Sequence, residues 1–109
     1  MSDKIYSIEE IKEIVVPICK KFFVKQLFLF GSYARKAANN QSDIDLLVDT
    51  EQRLDLETYR ELEDELADSL EKDVDIVFIK YINPYMYESI VSEAVSLYEY
   101  ILSKGQKGL

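Results

Sequence analysis

The apolar positions along the chain change period several times, and each change marks an element. Ile8, Ile11, Ile14 and Ile18 recur three or four residues apart, the spacing of one helix face. Ser7 stands just ahead of them and Glu10 three residues on, a capping-box pattern that fixes the helix start. Pro17 falls inside this run and predicts a kink or break. "VKQLFLF", Val24 to Phe30, is a short apolar and aromatic run that stops at Gly31 and reads as a strand. "DIDLLVD", Asp43 to Asp49, reads as a second strand. In "LDLETYRELEDELADSLEK" Leu56, Tyr59, Leu62, Leu66 and Leu70 mark one face of an amphipathic helix, with acids and Arg60 on the other. "VDIVFIK", Val74 to Lys80, reads as a third strand. "NPYMYESIVSEAV" places Pro84 near a first helical position and predicts a closing helix. "SLYEY" fits either an extension of that helix or a small strand, and "SKGQKGL", residues 103–109, reads as a flexible tail. The order helix, strand, strand, helix, strand, helix predicts an α/β (α+β) fold: a small mixed β-sheet with helices packed on it, in a single domain spanning 1–109.

Composition narrows the chemistry. With 109 residues, 48% hydrophobic and 31% charged, the chain suits one globular domain with a modest core. There is no histidine and a single cysteine. That excludes Ser-His-Asp and Cys-His nucleophile systems and the usual zinc sites. Any metal must be held by oxygen, which favours magnesium, manganese or calcium. Cys19 sits in an apolar helical stretch and is expected to be a buried core thiol. The net charge is −8 and no basic stripe is present, so direct binding of nucleic acid is disfavoured. A basic protein partner, or a nucleotide carried by divalent cations, fits better. No apolar run approaches the roughly 20 residues of a membrane span, and the first residues carry no apolar signal segment, so the expected location is the cytoplasm, away from membrane.

The stretch "FGSYARKAANNQSDIDLLVD" holds the candidate chemistry. Residues two apart on a strand face the same way, so Asp43 and Asp45 project side by side, roughly 7 Å apart at the backbone. Alone they repel, and a divalent cation between them reverses that cost. Ile44, Leu46 and Val48 take the opposite, core-facing side. Asp75 is a third acid at the head of an apolar strand and reaches the same cation if the two strands are neighbours. Asp73 shares its parity and is the second candidate; Asp49 lies at the far end of its strand and is set aside. Gly31 lets the backbone turn and a phosphate approach. Ser32 and the amides that follow can donate to phosphate oxygens, and Arg35 and Lys36 add positive charge.

These residues resemble the signature of the nucleotidyltransferase superfamily that includes DNA polymerase beta: Gly-Ser, a spacer, Asp-x-Asp, and a later third acid. The "SYAR" and "SDIDLLV" segments are similar to those of its small bacterial and archaeal members, and the resemblance extends over nearly the whole chain. It implies the nucleotidyltransferase fold. It further implies that Asp43, Asp45 and Asp75 bind magnesium, two ions in all, and that Asp75 is the general base. Gly31, Ser32 and Arg35 would hold the triphosphate of ATP. One departure is visible: the small members often carry glycine after the "AR" pair, where this chain has Lys36. The minimal members are similar to antitoxins of toxin–antitoxin pairs whose toxin is a HEPN-domain ribonuclease. The resemblance thus implies an antitoxin that moves AMP from ATP to a hydroxyl, a tyrosine in the studied cases, of a HEPN toxin. Two other readings compete. One is a binding antitoxin that neutralises its partner by contact alone. The other is transfer to a small molecule such as an aminoglycoside, against which the lack of a further acceptor domain speaks. Tyr85, Tyr87, Tyr98 and Tyr100 cluster late in the chain and are expected mostly in the core.

Overall fold

The structure, a computed structural model, describes residues 4–99. Helix α1 (Ile8–Lys21) begins as its pattern requires. The Ser7 side chain accepts from the Glu10 amide and the Glu10 carboxylate accepts from the Ser7 amide. The helix does not break at Pro17 but runs through it. Pro17 and Glu13, whose carbonyl loses its donor, both face solvent, where water can take over. Burial of Ile11, Val15, Ile18 and Cys19 on the other side holds the helix to the sheet.

Strand β1 (Val24–Phe30) leads into a single helical turn, α2 (Gly31–Ala34), and then to β2 (Ile44–Thr50). Helix α3 (Leu56–Leu70) is capped by Asp55, whose side chain accepts from the Thr58 amide, and buries Leu62, Leu66 and Leu70. Leu56, expected on that face, is 66% exposed at the first position of the helix. Strand β3 (Val74–Phe78) is shorter than its apolar run, because Ile79–Tyr81 tightens into a 3-10 turn. Helix α4 (Pro84–Glu93) follows, and the ambiguous segment after it is a strand, β4 (Val95–Glu99). The predicted order thus lacked one short helix and one strand. The tail at 103–109 lies outside the described residues.

The sheet order is β3-β2-β1-β4, with β2 and β3 parallel and the other two pairs antiparallel. One face carries Leu27, Leu29, Ile44, Leu46, Val48 and Leu97, which form one core with the apolar sides of α1 and α3. Cys19 is buried there, and desolvation pushes its thiol up to about 12, so it stays protonated and inert. No helix among the described residues is long and apolar enough to cross a membrane. The opposite face of β2 carries Asp45, Leu47 and Asp49. The fold therefore turns one side of its central strand into core, and on the other side sets half-buried Asp45 and Asp49 on either side of a buried Leu47.

Candidate active site

At one end of the sheet the C-terminus of β1 meets the N-termini of β2 and β3. Three stretches that are far apart in sequence converge there. Phe30 pairs with Asp45 across the antiparallel β1–β2 ladder. Asp45 pairs with Asp75 across the parallel β2–β3 ladder. In-register neighbours on parallel strands point to the same face, about 4.8 Å apart at the backbone. Asp43 precedes Asp45 by two residues at the mouth of β2 and is exposed, as is Asp75; Asp45 is half-buried.

The electrostatics of Asp45 register this convergence. Burial raises its carboxyl above the ordinary aspartate range, the charges of Asp75 and Asp43 raise it further, and Arg35 opposes them. The group thus lies within the fields of all three other charged candidates. Arg35 offsets the crowding of acids only in part, and the excess negative charge is the condition a bound divalent cation relieves. No group of three acidic or cysteine side chains among the described residues is already closed around a point that could hold a metal. The donor set nonetheless suits a hard cation: carboxylate oxygens converging from two rigid strands, with room for water and phosphate oxygens.

Gly31 has φ +75, a conformation that side chains resist. A β-carbon at Gly31 would overlap Asp45 Oδ2 and stand 3.1 Å from its Cγ. The glycine therefore serves the acid, by letting its carboxylate lie against the bend. Tyr33 is buried in the core and pins the turn, while Ser32 stays half-exposed beside it. The turn closes in a Schellman pattern: the Ala37 amide donates to the Ser32 carbonyl at 2.8 Å and the Lys36 amide to Tyr33 at 3.2 Å. Lys36 takes the left-handed conformation this motif demands, with φ +59. Arg35 extends outward, and its Nη1 stands 3.6 Å from Glu93 Oε1 at the end of α4.

Of the two acids set apart on sequence, Asp73 is exposed and lends only its carbonyl, which accepts from the Ile44 amide at 3.0 Å. Asp49 stands at the other end of β2, opposite Gln26. Sequence reasoning missed Lys72. It is 4% exposed, and its Nζ donates to the Asn40 carbonyl at 3.2 Å. It ties the approach to β3 to the spacer that carries Asp43. Its position just outside an apolar strand gave no signal, since a lysine there is usually solvated. The spacer itself is a hydrogen-bonded turn: the Asn39 amide donates to Ser42 Oγ and the Gln41 amide to Asn39 Oδ1.

Four cavities among the described residues, of about 920, 430, 570 and 500 Å³, are lined by none of Gly31, Ser32, Asp43, Asp45 or Asp75. The largest lies between the end of α1 and the start of α3, at the other end of the sheet. At the acidic site Asp43 and Asp75 are exposed and Asp45 is half-buried between them.

Residues 9–100 match the family described as polymerase beta, nucleotidyltransferase. The chain belongs to the polymerase beta nucleotidyltransferase family. This nucleotidyltransferase is 38% identical, over 84% of its own length and 98% of the other's, to a Methanocaldococcus jannaschii protein provisionally assigned as a protein adenylyltransferase. A solved structure, itself provisionally assigned as a minimal nucleotidyltransferase, superposes with a TM-score of 0.72 at 31% identity, over 83% of this chain and 95% of that one. A structure of a tri-AMPylated Shewanella oneidensis HEPN toxin in complex with MNT antitoxin shares the fold. It matches at a TM-score of 0.66 and 22% identity, over 91% of this chain and 78% of that one. The family's reaction takes a nucleoside triphosphate and a divalent metal ion.

Proposed function

We propose that this nucleotidyltransferase is the antitoxin of a toxin–antitoxin pair and transfers AMP from ATP to a hydroxyl of a HEPN-domain ribonuclease toxin, the acceptor being a tyrosine. The observation that carries the reading is the in-register pairing of Asp45 with Asp75, beside Asp43 and against the Gly31 bend. The designation of the Methanocaldococcus relative and the AMPylated HEPN toxin bound to the Shewanella antitoxin support it. So does the exposure of Asp43 and Asp75, which leaves them within reach of a folded acceptor.

Asp43, Asp45 and Asp75 hold magnesium, two ions in this reading. Bound there, magnesium neutralises the triphosphate and stabilises charge on the departing pyrophosphate. Gly31 and Ser32 seat the phosphates, the glycine by allowing close approach and the serine by donating its hydroxyl. Arg35 supplies positive charge at the same corner. Asp75, exposed at the rim, accepts the proton of the attacking hydroxyl. A bond forms between the acceptor oxygen and the α-phosphorus, the bond from that phosphorus to the bridging oxygen breaks, and pyrophosphate leaves. No imidazole is needed, in keeping with a chain that has none. Both proteins act in the cytoplasm in this reading.

The test supplies the co-encoded HEPN-domain protein, magnesium and ATP labelled at the α-phosphate. Label is expected on a partner tyrosine, and lost with Asp43→Ala/Asp45→Ala although the complex still forms. Neutralisation of the toxin that survives this double change would instead support inhibition by contact alone.

A further inference from the structure

Much of α4 is exposed. None of its residues is buried. Pro84 through Ser89 are all exposed, and only Ile90 and Val91 are partly covered. Tyr85 is 95% exposed, Met86 55% and Tyr87 42%, so the late tyrosines expected in the core are not there. Only Tyr98 packs against the core, and Tyr100 lies outside the described residues. An aromatic, methionine-bearing helix surface in a chain this polar is the composition of a protein interface centre.

Its position says what docks there. The helix ends at Glu93, which meets Arg35 at the acidic site. The next strand pairs Val95 with Leu29, two residues before Gly31. Tyr85, Ser89 and Glu93 follow at four-residue steps and share the outward side of the helix. That side runs from Tyr85 to the Arg35 corner over about 12 Å. The apolar patch and the carboxylates are thus parts of one continuous surface. None of the four cavities described above includes the acidic residues, so a partner gains purchase from the neighbouring surface. A second copy of this chain is disfavoured, since both would carry −8. Nucleic acid is disfavoured by the same charge. Glu88 beside the patch favours a basic residue opposite it.

We propose that the outward side of α4, centred on Tyr85 and Met86, docks the acceptor protein and sets its hydroxyl over Asp43, Asp45 and Asp75. The occupant is a folded protein presenting an apolar patch with a basic residue at its edge. The inference rests on the transfer reading for the identity of the partner, though the docking itself does not require that transfer occurs.

The test is Tyr85→Ser/Met86→Ser in the full chain, with association to the co-encoded HEPN-domain protein measured by calorimetry and self-association by sedimentation. Association is expected to weaken at least tenfold, with a matching rise in KM for the acceptor. Affinity for a non-hydrolysable ATP analogue with Mn²⁺, and the thermal midpoint, are expected to stay unchanged. Undiminished affinity for the partner overturns the proposal, as does loss of self-association with partner affinity intact. If the unaltered chain binds the partner through this surface but moves no label, the docking stands and the transfer reading falls. If it labels the partner and the double variant binds as well as before, the docking falls and the transfer reading stands.

Discussion

The carboxylate of Asp45 lies directly against the α-carbon of Gly31, in the space a side chain at that position would need. The glycine also holds φ +75. Two independent costs therefore fall on any replacement: strain in the left-handed region and a steric clash. Gly31→Ala is expected to cost about 2–4 kcal/mol in urea denaturation. The clash part is separable. In an Asp45→Ala background the same change is expected to cost about 1–2 kcal/mol less, because the overlap with the carboxylate is gone while the backbone strain and a 3.3 Å contact with the β-carbon at 45 remain.

Asp45 makes the metal-free protein sensitive to pH. Its carboxyl is raised by burial first, then by Asp75 and Asp43, with Arg35 acting against them. A group whose folded value is raised stabilises the fold fully below its unfolded value. That contribution is lost as pH rises through the raised one. The thermal midpoint without metal is therefore expected to fall on going from the ordinary aspartate range to just above it. Asp45→Asn is expected to remove that fall and to raise the midpoint at neutral pH, while lowering transfer activity more than about a hundredfold. A midpoint at neutral pH that drops in Asp45→Asn would contradict the electrostatic account.

Lys36 occupies a left-handed position, φ +59, in the Schellman turn after α2. Glycine adopts that conformation without the clash a β-carbon brings. Lys36→Gly is expected to stabilise the protein by about 0.5–1 kcal/mol in chemical denaturation. Loss of stability instead would mean that the lysine side chain contributes more than its backbone costs.

The Tyr6 hydroxyl donates to the Leu70 carbonyl at 2.7 Å and ties the approach to α1 to the last turn of α3. Tyr6→Phe keeps the ring and removes only this bond. It is expected to cost about 1 kcal/mol by urea titration, with nucleotide and metal affinity unaltered.

Most of the site was legible in the chain, and so were the central elements. The period-two run at Asp43–Asp49 identified its strand and the shared face of its acids, because strand parity follows from covalent geometry alone. Placing Asp75 beside Asp45 needed the strand order, which no local pattern states. The core side of α3 was read correctly at Leu62, Leu66 and Leu70 but not at Leu56, where helical phase is right but the first position of the helix is left exposed. Of the kink or break expected at Pro17, the break does not occur, for a related reason: the buried face of α1 outweighs one missing hydrogen bond on its wet side. Strand β4 was ambiguous because a five-residue apolar segment fits either period, and only pairing with β1 decides it. Tyr85 and Tyr87 were misread as core because composition cannot distinguish an aromatic residue that faces the protein from one that faces outward.

Calorimetric titration of Mn²⁺, in the presence of a non-hydrolysable ATP analogue, into the unaltered chain, Asp45→Asn and Asp75→Asn bears most directly on the convergence of the two strands at one metal–nucleotide site. Saturable uptake is expected in the unaltered chain, abolished in Asp45→Asn and weakened at least tenfold in Asp75→Asn. Uptake that is the same in all three proteins would contradict it.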